Sequence, residues 1–277
     1  VDSTPPVLTL NTPINYLNTE KKILFDLSTN EPTDMYYIDN NDLKQKNLCK
    51  NCNLLNKLIS FNDGLWNITI FARDKAGQLA PPQNIQFFID TKLPKITKTY
   101  PLKGFTSGIF EADIQEDNLA SLILHYENSQ FPVNLNTCTN LNKNKYRCEA
   151  DVDLSAHNSH QIQYYFELTD IAGNNAKSKA ILLDVDTTDP LINSITKAQT
   201  ENKVTFTLDI TETNLDEVLY IINQDTDPRA RWKTFCTKLK DGLCVKKITF
   251  NEGTSTIDFQ VTDKAGNSAG QRESVAV

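Results

Sequence analysis

The sequence predicts an all-β chain of three successive β-sandwich domains, and three observations predict it. An Asp-x-Ala-Gly stretch recurs, at Arg73-Asp74-Lys75-Ala76-Gly77, Thr169-Asp170-Ile171-Ala172-Gly173-Asn174 and Thr262-Asp263-Lys264-Ala265-Gly266-Asn267, with its aspartates 96 and 93 residues apart. That period is the length of a whole small domain rather than of a solenoid unit. The residues leading into each copy alternate apolar and polar, the period of a strand with one buried face. The six cysteines fall as one close pair per repeat.

Each repeat opens with an Asp, one or two hydroxyl residues and a Pro four positions after the Asp: Asp2-Ser3-Thr4-Pro5-Pro6, Asp90-Thr91-Lys92-Leu93-Pro94 and Asp186-Thr187-Thr188-Asp189-Pro190. Proline removes a ladder donor and biases its predecessor to extended backbone, so each junction is read as short and stiff, entering an edge strand. Strand-like runs follow in the first unit at residues 7–10, 22–27 and 35–38, and the other units repeat the order. In the third, Val204, Phe206, Leu208 and Ile210 alternate with Thr205, Thr207 and Asp209, and Val218, Tyr220 and Ile222 continue the pattern.

Counting back by twos from the motif aspartates gives Ala72, Ile70, Ile68 and Trp66, then Leu168, Phe166, Tyr164 and Ile162, then Val261, Phe259, Ile257 and Ser255. These form the core face; Arg73, Thr69 and Asn67 and their counterparts form the wet one. A further strand is expected after each motif, at residues 85–89, 181–185 and 273–277. The motif between them suits a hairpin with a type I turn and a left-handed glycine, so Asp74, Asp170 and Asp263 are read as turn formers that accept their own turn's amides. The expected domains are 1–89, 90–185 and 186–277. Val1 precedes Asp2 as Ile89 precedes Asp90, which reads as an excerpt of a longer tandem array.

A net charge of −7 and a pI near 5.1 leave no basic stripe to displace counterions from phosphates, which argues against a nucleic-acid partner. No run approaches the roughly 18 apolar residues of a membrane span, and Val1 begins no signal-peptide pattern. The cysteine pairs, Cys49 with Cys52, Cys138 with Cys148 and Cys236 with Cys244, keep their place in the repeat while their spacing drifts. Structural disulfides across a variable loop, in an oxidising extracellular compartment, fit that better than zinc or redox chemistry. They differ from antibody-type cystines, which join two sheets beside a buried Trp.

His157-Asn158-Ser159-His160 occupies the register of Asn62-Asp63-Gly64 and Asn251-Glu252-Gly253, so it is read as a turn and not as a metal or acid-base pair. No catalytic motif is present and no catalytic residue is assigned. Calcium is the one ligand with a claim, through Asp184, Asp186 and Asp189 at the second junction and Asp90 at the first, although no loop is spaced to deliver six to eight oxygens. Asn67-Ile68-Thr69 is the only full glycosylation sequon, with Asn67 on the wet face.

The junction Asp-Thr-Thr-Asp-Pro at 186–190 and the Thr-Asp-Lys-Ala-Gly-Asn ending at Asn267 resemble the tandem Ig-like repeats of bacterial and archaeal cell-surface proteins. The first unit is looser, with Asp-Ser-Thr-Pro-Pro at its junction and no Asn after its turn. The resemblance implies seven-stranded Greek-key sandwiches acting as stalk, spacer or adhesive segments, bound to neighbouring repeats, copies of the same chain, another surface protein or a glycan. At roughly 35 to 40 Å per unit, three would extend about 100 Å or more. Two other readings are a filament or surface-layer subunit, joined through open sheet edges, and accessory or carbohydrate-binding modules of a secreted hydrolase. For the last, Phe71 and Tyr165 are the candidate stacking rings, weighed against ordinary cross-strand packing.

Overall fold

A computed structural model describes residues 2–14 and 16–277; Val1 lies outside the described residues. Domain 1 contains β1 (Leu8–Thr12), β2 (Leu17–Asn18), β3 (Lys22–Asp39), β4 (Gln45–Ser60), β5 (Gly64–Arg73) and β6 (Gln83–Ile89). Domain 2 contains β7 (Lys95–Tyr100), β8 (Phe105–Thr106), β9 (Ile109–Gln115), β10 (Leu119–Tyr126), β11 (Ser129–Pro132), β12 (Thr139–Asn142), β13 (Lys145–Asp151), β14 (Gln161–Asp170), β15 (Asn175–Lys177) and β16 (Ile181–Val185). Domain 3 contains β17 (Leu191–Thr200), β18 (Lys203–Thr211), β19 (Leu215–Ile222), β20 (Lys233–Cys236), β21 (Leu243–Thr249), β22 (Thr254–Asp263) and β23 (Ser268–Ala276). The chain is all-β: besides strands, the described residues hold only two short 3-10 turns, Leu135–Thr137 and Ser155–His157.

Domain 3 shows the plan most simply, with sheet β17-β18-β21 facing sheet β20-β19-β22-β23. Domain 2 repeats it as β7-β9-β13-β12 against β11-β10-β14-β16-β8. In both, each chain segment that leaves one sheet crosses to the other, which is the Ig-like Greek key. Leu8, Lys95 and Leu191 start their strands just after the junction prolines, and β1, β7 and β17 all lie at sheet edges, where a missing amide costs nothing.

Alternation does place the core. Ile68, Ile70 and Ala72, then Ile162, Tyr164, Phe166 and Leu168, then Ile257, Phe259 and Val261 are all buried, in three separate clusters. No core cluster draws residues from two domains, so each sandwich buries its own apolar surface and needs no neighbour to do it.

Domain 1 departs from the expectation. The runs at 22–27 and 35–38 are one strand, β3, which pairs with β1 and the far half of β4 through its first part and with β5 and the near half of β4 through its second. The register shifts between Ser28 and Tyr36 let it turn the corner between layers without leaving the ladder, as bulges do. The pattern of apolar residues shows the two halves, but the polar corner Thr29-Asn30-Glu31-Pro32 reads as a loop.

The structure pairs Cys49 with Cys52, Cys138 with Cys148 and Cys236 with Cys244. The first lies within β4. The other two do more than staple a loop. Cys236 ends β20 and Cys244 sits in β21, strands of opposite sheets. Cys138 follows the turn after β11, while Cys148 is in β13 of the other sheet. The short loop is where the chain crosses between layers, so a bond local in sequence ties the sandwich together. Replacing Cys138 and Cys148 by Ala should therefore cost domain 2 about 2–3 kcal/mol. Calorimetry should show its transition falling by about 10–20 °C while domains 1 and 3 melt unchanged.

Candidate metal centres at the domain entries

The hairpin motif performs the turn role expected of it. Asp170 Oδ1 accepts the amides of Gly173 and Asn174, each at 2.8 Å, and its Oδ2 accepts Asn174 Nδ2 at 2.8 Å. Asp263 does the same with Ala265, Asn267 and the Asn267 side chain at 2.8, 2.9 and 2.7 Å. Gly173 has φ 98° and Gly266 φ 95°, the left-handed residue that closes such a turn.

The Asn that ends the motif also reaches outside it. Asn174 Nδ2 donates to the main-chain oxygen of Asp90, and Asn267 Nδ2 to that of Asp186, both at 2.8 Å. Each junction Asp is thereby drawn onto the motif turn of the domain it opens. A glutamate completes each group, from the β9–β10 loop in domain 2, the β18–β19 loop in domain 3 and the corner of β3 in domain 1. Glu116, between β9 and β10, accepts the amides of Asp117 and Asn118 at 2.8 and 2.9 Å, and Asn118 Nδ2 donates to Asp90 Oδ2 at 2.9 Å. Glu212 accepts the amide of Asn214 at 2.8 Å, and Asn214 Nδ2 donates to Asp186 Oδ2 at 2.8 Å.

Three carboxylates therefore meet at the entry pole of every domain: Asp2, Glu31 and Asp74; Asp90, Glu116 and Asp170; Asp186, Glu212 and Asp263. Within each set, one oxygen per residue lies within 4.8 Å of the others, and two ligands on opposite sides of one calcium, each at about 2.4 Å, are about that far apart. In domain 2 all three residues are buried, with 5, 6 and 1% of their surface exposed. None of the nine is ion-paired with Lys, Arg or His among the described residues. Buried like charges without a counter-charge are costly, and either a proton or a bound cation relieves that cost.

Two further atoms point the same way. Asp74 is 8% exposed and its Oδ2 has no hydrogen-bond partner, because position 78 holds Gln and the side-chain bond made by Asn174 and Asn267 is missing. Asn214 is 6% exposed, sits against Asp186 through its Nδ2, and leaves its buried Oδ1 without a donor. An orphaned buried oxygen is satisfied by a cation as well as by a donor. All-oxygen, carboxylate-rich ligation suits a hard cation such as calcium and not zinc or copper.

The structure gathers Asp90 and Asp186 into these clusters, but not Asp184 or Asp189. Asp184 lies on β16, where its carboxylate accepts Gln161 Nε2 across the β14–β16 pair at 2.9 Å. Asp189 lines the hollow beside Asp186 without joining the group. The glutamates were missed by sequence reasoning. Their signal was available, since Glu-x-Asn-Leu occurs at 116–119 and again at 212–215, both 26 residues after the junction Asp.

The remaining candidates are accounted for locally. The segment holding His157 and His160 is a turn: Asn158 Oδ1 accepts the Thr187 amide and Asn158 Nδ2 donates to Thr188 Oγ1, at 3.1 and 3.0 Å. Asp63, in the same register of domain 1, accepts Thr91 Oγ1 at 2.9 Å. The preceding domain thus grips the same junction from its own side. Phe71 stacks on Tyr36 at 5.1 Å and Tyr165 on His125 at 4.5 Å, so cross-strand packing uses both rings. Asn67 is half-buried in β5 and its Oδ1 accepts Asn40 Nδ2 at 3.1 Å.

The chain matches no protein-family model and no curated protein sequence. Among solved structures, it is similar to the FN1–FN3 domains of chicken CNTN1, at 12% identity over 99% of both chains with a TM-score of 0.44. It is similar to the I67–I69 fragment of titin at 13% identity over 99% of both chains, TM-score 0.43. A tetra-tandem repeat from the extending region of a large adhesion protein shows 12% identity over 99% of this chain and 74% of that one, TM-score 0.31.

Proposed function

We propose that this chain is a non-catalytic spacer or adhesive segment of an extracellular surface protein, stiffened at its domain entries by calcium. The observation that carries this reading is the recurrence of one carboxylate triad at the entry pole of all three domains, twice on the junction itself. A junction Asp is simultaneously the first residue of a domain, a partner of that domain's hairpin turn and the neighbour of hydroxyls gripped by the domain before. A cation held there joins linker, loop and turn, so the linker loses freedom when the ion binds. Oxygens of Asp90, Glu116 and Asp170 would hold it at the first junction, and those of Asp186, Glu212 and Asp263 at the second.

The disulfides and the self-contained cores support work outside the cell, where a chain cannot rely on chaperoned repair. Calcium at extracellular concentrations is the natural partner for sites of modest affinity. The test is thermal unfolding with calcium and with chelator. At calcium 100-fold above the dissociation constant, each loaded domain should gain about 2.7 kcal/mol, a rise of roughly 10–20 °C for a domain of this size. An unchanged midpoint would count against the reading, whereas an equal rise with sodium at matched ionic strength would show general screening.

A further inference from the structure

Domain 3 carries a shallow, open hollow of about 460 Å³ on the outer face of the β20-β19-β22-β23 sheet. Trp232 walls it, Asp258, Gln260 and Arg272 floor it, and Gln224 closes it from the loop between β19 and β20. We propose that this hollow is a carbohydrate subsite that stacks a neutral pyranose ring on Trp232.

The indole is the reason. Trp232 is 40% exposed, and among the described residues its ring has no aromatic contact and its Nε1 no hydrogen bond. The other tryptophan is fully employed: Trp66 Nε1 donates to Asn62 O at 2.8 Å and its ring meets Phe61 edge-on at 4.8 Å. Of the outer-face rings in domains 1 and 2, Phe71 and Tyr165 are engaged by stacking on Tyr36 and His125. A large apolar ring with a free polar edge, part-exposed in the loop beside the sheet, matches the alternating C–H and O–H surface of a sugar.

The surroundings define the ligand's charge. Arg272 bonds Asp258 through Nη2 at 3.1 Å, and also through Nε, while its Nη1 bonds Asp225 at 2.7 Å. One guanidinium thus meets two carboxylates and has no charge to spare for an anion. The same fork ties the loop bearing Gln224 and Trp232 to the sheet, so the wall is held in place before anything binds. Gln224 and Gln260 make no side-chain hydrogen bonds among the described residues, leaving two amides that can each donate to and accept from hydroxyls. Gly270 stands opposite Gln260 across the β22–β23 pair, and its missing side chain keeps the hollow open.

The experiment titrates the whole chain with neutral gluco-, galacto-, manno- and N-acetylglucosamine oligosaccharides, following the Trp232 indole signal by NMR in the parent and heat of binding by calorimetry in the parent and every variant. At least one series should shift that signal saturably. Trp232→Ala should weaken binding about tenfold or more, Gln260→Ala by a smaller factor, and Trp232→Phe should keep most of it, separating a lost platform from a misfolded loop. Chelator should leave the binding in place, which distinguishes this site from the calcium reading. The proposal is overturned if no neutral series binds, if Trp232→Ala binds as well as the parent, or if uronate oligosaccharides or a proline-rich peptide bind in preference.

Discussion

Replacing Asp170 by Ala should be the most damaging single change at any domain entry, costing domain 2 about 3–5 kcal/mol in calcium. The side chain is 1% exposed and accepts three hydrogen bonds, two from the turn's amides and one from Asn174. Alanine leaves those donors buried and unpaired, and frees Asn174, whose amide also anchors the Asp90 carbonyl. Asp170→Asn separates the two jobs. Its carbonyl oxygen can still accept the turn amides, but the charge is gone and so is the bond from Asn174 Nδ2, which an amide nitrogen cannot accept. In chelator Asp170→Asn should cost only about 1 kcal/mol, and in calcium it should lose most of the parent's calcium-dependent gain. Calorimetry of both variants in both buffers checks this, and an equal cost with and without calcium would assign Asp170 to the turn alone.

The second large effect lies away from the clusters. Gly108→Ala should destabilise domain 2 by about 3 kcal/mol or more. Gly108 has φ 126°, outside the range a side chain tolerates, and a Cβ there would sit 2.1 Å from the carbonyl oxygen of Val152. Neither strain can be relieved cheaply, because Gly108 O accepts the Val152 amide at 3.0 Å and Gly108 N donates to Thr106 Oγ1 at 3.1 Å. The close approach fastens the start of β9 to the end of β13. Hydrogen exchange should show protection falling throughout domain 2, with domain 3 spared because its core is separate. Gly173→Ala, which also has positive φ but nothing within 4 Å of a Cβ, should cost distinctly less.

Much of this was legible in the sequence because a strand has a period of two. Counting back from Asp263 finds Val261, Phe259 and Ile257, and all three are core. The junction prolines marked edge strands correctly, since proline's missing amide is tolerated only there. Domain 1 was harder to read: Glu31 and Pro32 look like a loop, yet β3 carries them around the corner as a bulged strand.

The metal clusters were half legible. Asp90 and Asp186 could be singled out from the junctions and Asp74, Asp170 and Asp263 from the repeat, and the two sets could be set side by side, but the glutamates that complete each group were missed. Only the fold shows that these segments converge, because the Greek key brings residues 26 to 29 and 72 to 80 positions after the junction Asp to one pole. Asp184 illustrates the converse. It is two residues from Asp186 in sequence, but on an extended strand that distance is about 7 Å, and Gln161 takes its carboxylate. Trp232, like Trp66, has no counterpart in the other units, and the fold supplies the face on which that matters.

Whether the entry clusters hold calcium is tested most directly by isothermal titration calorimetry of calcium into the chelator-treated chain, beside a variant carrying Asp74→Asn, Asp170→Asn and Asp263→Asn. The account predicts saturable binding approaching three ions per chain, one for each carboxylate triad, and its loss in the triple variant. Absence of binding at millimolar calcium, or the same isotherm in the triple variant, would contradict it.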